Sequence, residues 1–368
     1  MAASDNTCVR AAKTQVAGLS LWFKQFGENG MKRICIVGAG AIGGFIGARL
    51  SLSAQTGLNP DIEVSALARG ATLNALNTHG WRLREGSNLR AARTIASDRP
   101  SDLGMQDLVI IAVKAPALPQ LAPTLKPLIG PHTTIMAAMN GVPWWFMNRG
   151  GQIGMPLQSV DPDGAISKVI PAEQVVGCVV HASTFTPEPG LVQVKMGNGL
   201  IVGEIDSGEI DATTKKLDGK AAVIANLLQR AGFDTNLSHR IRYDIWYKLW
   251  GNMTINPISA LTGALSDQIL DDPLVLNFVS ACMLEASAVG KEIGCAIDQT
   301  PQDRHAITRK LGGFKTSMLQ DVEANRAIEL DALVGVVREI AERVKVATPN
   351  LDILFGMTRL FGRVRKIY

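Results

Sequence analysis

Short apolar runs separated by glycine-rich or polar breaks dominate the chain up to about residue 238. Ile34-Cys35-Ile36-Val37 leads straight into Gly38-Ala39-Gly40-Ala41-Ile42-Gly43-Gly44, the pattern of a buried parallel strand that ends in a glycine turn. A helix to about Ser53, a polar loop over 55–60 and a second strand over 62–67 follow. Residues 108–113 and 134–139 are further continuous apolar runs, too short for helices and rich in β-branched side chains. Strands alternating with helical stretches predict a right-handed parallel sheet.

Between 175 and 204 the strands come closer together, broken by Thr186-Pro187-Glu188-Pro189-Gly190 and Gly197-Asn198-Gly199. These hairpin signals predict an antiparallel edge on the sheet. After a helix at about 214–231 and a last strand near 234–237, strand signals stop. Helical periodicity then runs to the C-terminus, with Asp272-Pro273 as a helix start and 329–346 as a long amphipathic helix.

A length of 368 residues accommodates two domains, and 46% hydrophobic against 19% charged residues describes an ordered chain. The net charge of +4 carries no run of like charges, which gives nucleic-acid binding no support. Five scattered cysteines (Cys8, Cys35, Cys178, Cys282, Cys295) without a C-x-x-C pair read as reduced thiols of a cytoplasmic enzyme with no metal site. The apolar runs noted above fall short of the roughly 20 residues that span a bilayer, so a soluble protein without a membrane partner is expected. Residues 1–30 read as a loose extension without a secretory signal, since Met31-Lys32-Arg33 enters the first strand directly.

Gly38-x-Gly40-x-x-Gly43 acquires a mechanism from its position between strand and helix. The first glycine makes the turn, the second lets backbone approach a pyrophosphate, and the third allows close helix packing. Ala41 and Ile42 open the helix whose N-terminus faces the phosphates. The second strand ends Ser65-Ala66-Leu67-Ala68-Arg69, with an arginine where NAD readers usually carry an acid. Arg69 suits a ribose 2′-phosphate and predicts NADPH over NADH; a solvated surface arginine is the alternative. The expected architecture is therefore α/β: a Rossmann-type dinucleotide-binding domain over 31–238 and an all-helical domain over 239–368.

Within 242–256, Lys248, Asn252 and Asn256 recur at i, i+4 and i+8, on one face of a helix that Pro257 should end or kink. Ile245, Trp246, Leu249, Trp250 and Met253 surround this polar stripe, which needs hydrogen-bonding partners if buried. A bound polar ligand would supply them; an exposed lysine with two asparagines at a helix end fits the residues equally well.

At this point the chain resembles the ketopantoate reductase family from about Met31 to its last helices. The resemblance is carried by the glycine turn, Leu67-Ala68-Arg69, Val113-Lys114-Ala115, Asn140-Gly141, Trp246-Tyr247-Lys248-Leu249 with Asn252 and Asn256-Pro257, and Thr316-Ser317-Met318-Leu319-Gln320-Asp321 followed by Glu329. It implies NADPH-dependent reduction of a small 2-keto acid, 2-dehydropantoate, to pantoate; a relative that reduces a different small 2-keto acid, or an NADPH-binding sensor without turnover, is the alternative. It further implies Lys248 as general acid, Glu329 as active-site carboxylate, Asn252, Asn256 and Ser317 as substrate-binding groups, and Lys114 and Asn140 facing the cofactor. Taken alone, Lys114, Ser317 and Glu329 also read as ordinary caps or helix-terminal residues.

Three features depart from the family pattern: the extension, the run Val142-Pro143-Trp144-Trp145-Phe146, and Phe314 where the family often has an asparagine. The adjacent tryptophans either reshape the pocket or pack the domain interface. Monomer and homodimer both remain compatible with the sequence.

Overall fold

Alternate residues of the first strand serve two cores. Ile34 and Ile36 pack on one face of the sheet with Phe45, Ile46 and Leu50, while Cys35 and Val37 join the other face with Trp145, Phe146 and Trp246. Residues 108–111 divide the same way, so these strands are apolar throughout because both faces are covered. This computed structural model describes residues 31–148, 154–205 and 219–368; the 1–30 extension and Cys8 lie outside them.

Ten strands form one sheet: β1 (Arg33–Val37), β2 (Glu63–Leu67), β3 (Trp81–Glu85), β4 (Asn88–Ala92), β5 (Ile95–Ser97), β6 (Leu108–Ile111), β7 (Thr134–Ala137), β8 (Val175–Glu188), β9 (Leu191–Glu204) and β10 (Asp234–Ser238). Their order is β4-β3-β9-β8-β7-β6-β1-β2-β5, with β10 also on β9. The parallel stretch β7-β6-β1-β2 reverses its order of progression between β6 and β1, the kind of crevice where open α/β sheets bind ligands.

The 175–204 region corrects one expectation. β8 and β9 form a long antiparallel hairpin, but it lies inside the sheet, because β3 pairs along Leu191–Val194 and β10 along Gly199–Gly203 of β9. The β3–β4 hairpin was missed in the sequence although its signal is there: Trp81 and Leu83 are buried and alternate with Arg82 and Arg84, the period of a strand. Gly197-Asn198-Gly199 is no turn but a bulge within β9, where the register shifts between His181 and Ser183 and Gly197 takes φ +74°. Glycine marks both devices, so composition cannot separate them.

β7 and β8 differ greatly in length. Their pairing covers only Ile135–Ala137 against Val175–Gly177, so β8 runs on past its neighbour and presents a bare main-chain edge from Cys178 onward.

Beyond Ser238 the described chain is helical. The helix Ile241–Thr262 continues past Pro257 rather than ending there, and stops at Gly263 in the left-handed region. Pro257 offers no N–H to the carbonyl of Met253, yet burial of Met253, Ile255 and Ile258 holds the helix together. Asp272 caps the helix Pro273–Glu292 as expected, accepting from the amides of Leu274 and Val275 at 2.9 and 3.0 Å. That helix is apolar over 20 residues, long enough by composition to cross a bilayer, which the sequence expectations overlooked. One face of it packs into the core, burying Val279, Cys282, Met283 and Val289 and accepting through the Met283 carbonyl from the Trp250 indole at 2.7 Å, while Leu274 and Leu284 on the rest of the helix are exposed. The region 329–346 is helical as expected, but its first turn, Asp331–Gly335, is widened to a π-type turn before Val336–Val344.

Candidate active site

The glycine turn is built by contacts that tolerate no side chain. Gly38 adopts φ +93° and donates to the carbonyl of Leu67 at 3.1 Å. A Cβ on Gly43 would stand 1.9 Å from the Gly38 carbonyl oxygen, so the helix Ala41–Gln55 rests directly on the turn. Gly40 differs: a Cβ there would meet nothing within 4 Å, and no side chain caps the helix at this point. The first-turn amides, beginning with Ala41 and Ile42, are left facing open space, the arrangement a pyrophosphate fits. Arg69 is exposed just past the end of β2, without an acidic residue between Leu67 and Gly70. Lys114 and Asn140 follow β6 and β7, so four neighbouring parallel strands deliver Arg69, Gly38, Lys114 and Asn140 to the same edge.

Lys248 faces this edge from the helical half. A narrow cleft is lined by Met139, Asn140, Gly141, Cys178, Ile245, Lys248, Asn252 and Leu333. The ammonium donates to Oδ1 of Asn140 at 2.8 Å and to the Val180 carbonyl, on the bare edge of β8, at 2.7 Å. Enclosure by protein pulls its pKa down to about 8; the nearby positive charge of Arg304 adds to the fall, while Cys178 and Glu329 oppose it. Lysine and asparagine thus form a preorganised donor at the mouth of the sheet.

Glu329 lies behind the cleft and is 8% exposed. Burial raises its pKa, countered by the amide of Ala115, which donates to Oε1 at 3.0 Å, and by Lys114 and Lys248. Lys114 is ion-paired with buried Asp321 and also donates to the Ala327 carbonyl at 3.4 Å. Gly141, at φ +81°, lets the loop after β7 close on the π-type turn, and the Val142 amide donates to the Ala332 carbonyl at 3.0 Å. Both halves of the chain are therefore joined through the walls of one cleft.

The expected site residues do not all gather equally. Lys248, Asn140 and Asn252 share the cleft; Asn256 is buried one turn further along the helix, and Ser317 is exposed. The cap of the helix Ser317–Glu323 is Thr316, which accepts from the Leu319 amide at 3.1 Å, so Ser317 is not the capping residue. Trp144, Trp145 and Phe146 are core residues between the halves, with Phe146 stacked on Trp246 at 5.9 Å, and none lines the cleft. Phe314 exchanges backbone contacts with Ser266.

Sequence reasoning passed over His181 and Arg304, and gave Asp321 no role of its own. The imidazole of His181 keeps accessible surface, yet the protein packed around it, then the charges of Lys248 and Arg304, hold its pKa down to about 4. His181 and Arg304 belong to no recognisable spacing; only folding brings them near Lys248.

Comparison with known proteins matches this architecture over nearly the whole described chain. The family model for Ketopantoate reductase PanE/ApbA matches residues 34–207, and that for the Ketopantoate reductase PanE/ApbA C terminal matches 240–361. A 2-dehydropantoate 2-reductase from Mesorhizobium japonicum is 37% identical over 338 residues, 91% of this chain and 99% of its own. The crystal structure of a protein described as a ketopantoate reductase, from Ralstonia solanacearum, superposes with a TM-score of 0.84 at 49% identity, covering 92% of this chain and 100% of that one. The fold alone is shared with a D-mandelate dehydrogenase solved with NADH and anilino(oxo)acetate, at 20% identity and a TM-score of 0.73, covering 91% and 100% of the two chains. With both halves matched in order and the glycine turn and lysine helix in place, the chain belongs to the ketopantoate reductase family.

Proposed function

We propose that this protein reduces 2-dehydropantoate to pantoate with NADPH, a step of pantothenate biosynthesis. The observation that carries the reading is the ammonium of Lys248, fixed by Asn140 and Val180 at the sheet edge that also bears the glycine turn. Its relatives are 2-dehydropantoate 2-reductases, and its cleft offers one enclosed proton donor to a small polar substrate.

When bound, the dihydronicotinamide supplies hydride to the keto carbon. Lys248 has three N–H groups, and two are occupied, which leaves one for the keto oxygen. With a pKa of about 8 it is mostly protonated at neutral pH and still acidic enough to release its proton as the oxygen becomes an alkoxide. The neutral amine then regains a proton from solvent. Glu329 keeps the ammonium from losing its proton too early, because its negative charge raises the pKa of Lys248. Asn252, Asn256 and Ser317 take the hydrogen-bonding groups of the substrate. Gly38, Gly40, Ala41, Ile42 and Gly43 hold the pyrophosphate, Arg69 the 2′-phosphate, and Lys114 and Asn140 border the nicotinamide side.

We divide the chain into a cofactor domain over 31–238 and a catalytic domain over 239–368, and place the enzyme in the cytoplasm. The test is turnover by the purified protein with NADPH and NADH against 2-dehydropantoate and a panel of branched and aromatic 2-keto acids. Efficient reduction of 2-dehydropantoate with NADPH is expected; no turnover of it beside good turnover of another keto acid overturns the substrate assignment.

A further inference from the structure

A 2-keto acid presents two acceptors on adjacent carbons, a keto oxygen and a carboxylate. Lys248 cannot serve both, since Asn140 and Val180 already take two of its three donors. Asn252, Asn256 and Ser317 offer the substrate neutral donors only, and a carboxylate drawn out of water is held more strongly by a second cation. Lys114 is engaged by Asp321, and Arg326 also pairs with that carboxylate. Arg242 donates to the carbonyls of Phe146 and Ile293 at 2.8 and 3.3 Å.

Arg304 stands differently. It projects from the helix Pro301–Arg309 so that its guanidinium lies over the ring of Tyr247, 4.7 Å from the centroid. Its Nε is buried with no partner, and among the described residues no carboxylate or carbonyl accepts from the guanidinium. The Lys248 helix has a notch for it: a Cβ on Gly251 would come within 2.9 Å of Nε and 3.0 Å of Nη2. Tyr247 and Gly251 are four residues apart and directly precede Lys248 and Asn252, so the guanidinium runs alongside the lysine–asparagine stripe. Tyr247 is itself held in place by its hydroxyl, which donates to Gln299 at 2.7 Å. A planar fork held over an aromatic ring, against the helix that carries Lys248 and with its donors unfilled, is suited to a carboxylate.

We propose that Arg304 is a specificity-determining residue that binds the substrate carboxylate while Lys248 addresses the neighbouring keto oxygen. This rests on the reduction of a 2-keto acid in this cleft, as set out above, and adds the group that selects acids over neutral carbonyl compounds. The positive charge that Lys248 and His181 both register from Arg304 supports the placement.

The experiment compares wild type, Arg304→Ala and Arg304→Lys with 2-dehydropantoate and with its neutral carboxamide, alongside NADPH binding and thermal midpoints. Wild type should favour the acid. Arg304→Ala should raise KM for the acid about 10- to 100-fold with a smaller change in kcat, keep NADPH affinity, and erase the preference for acid over amide. Arg304→Lys should recover part of that preference, which a purely structural role would not give, and it decides the matter if the alanine variant fails to fold. An unchanged preference in a folded variant overturns the role of Arg304 and leaves the reductase reading standing. A wild-type enzyme that reduces no 2-keto acid overturns that reading, and this inference with it.

Discussion

The ammonium of Lys248 donates to Oδ1 of Asn140 at 2.8 Å, a bond between residues 108 positions apart that ties the helical half of the chain to the loop after β7. The ammonium and the sheet edge are thereby held in register before any substrate arrives.

Removing the donor should separate binding from chemistry. Lys248→Ala is expected to keep NADPH affinity and to lower kcat by at least about 100-fold, the usual scale for a proton-transfer group. Fluorescence titration of NADPH and single-turnover rates check the two halves of this statement; unchanged turnover removes Lys248 from the chemistry.

The lowered pKa of Lys248 sets a pH profile with opposite limbs in the two directions. Reduction needs the protonated amine, so kcat/KM for the keto acid should fall about tenfold per pH unit above about pH 8. Oxidation of the hydroxy acid needs the neutral amine and should rise through the same pH. Because Glu329 raises the pKa of Lys248, Glu329→Gln should move both limbs to lower pH. A profile flat from pH 7 to 10 would contradict the assignment.

Two glycines of the same turn should fail in different ways. Gly43→Ala brings a methyl against the Gly38 carbonyl and should lower stability by about 1–3 kcal/mol as the helix is pushed off the turn. Gly40→Ala meets nothing in the protein, so stability should hold while NADPH affinity drops. Thermal unfolding with and without NADPH separates the two outcomes.

Arg69 should decide between the two nicotinamide cofactors. Arg69→Ala should weaken NADPH by about 10- to 100-fold, the scale of charged hydrogen bonds, and leave NADH nearly unaffected. Equal effects on both cofactors would return Arg69 to the role of a surface residue.

What the sequence disclosed was whatever lies close along the chain. Gly38, Gly40 and Gly43 act within one turn, and Lys248, Asn252 and Asn256 share a helix face by spacing alone, so both motifs were legible. Arg304 was not, because its seat on Tyr247 and Gly251 arises only when two helices pack. The tryptophan run left two readings open, and burial in the shared core decides for packing. Gly197 marks no turn and Pro257 ends no helix for one reason: local rules give the cost of a conformation, while tertiary contacts decide whether that cost is met.

The unequal lengths of β7 and β8 bear on how such an enzyme diversifies. The carbonyl that steadies the ammonium belongs to the peptide backbone of residue 180, so exchanging the side chain of Val179, which lines the cleft, leaves it in place. Walls of the pocket can be recut for bulkier or slimmer keto acids while the acid group keeps its anchorage. Variation among relatives, and redesign at the bench, has a neutral path here that a side-chain acceptor would have closed.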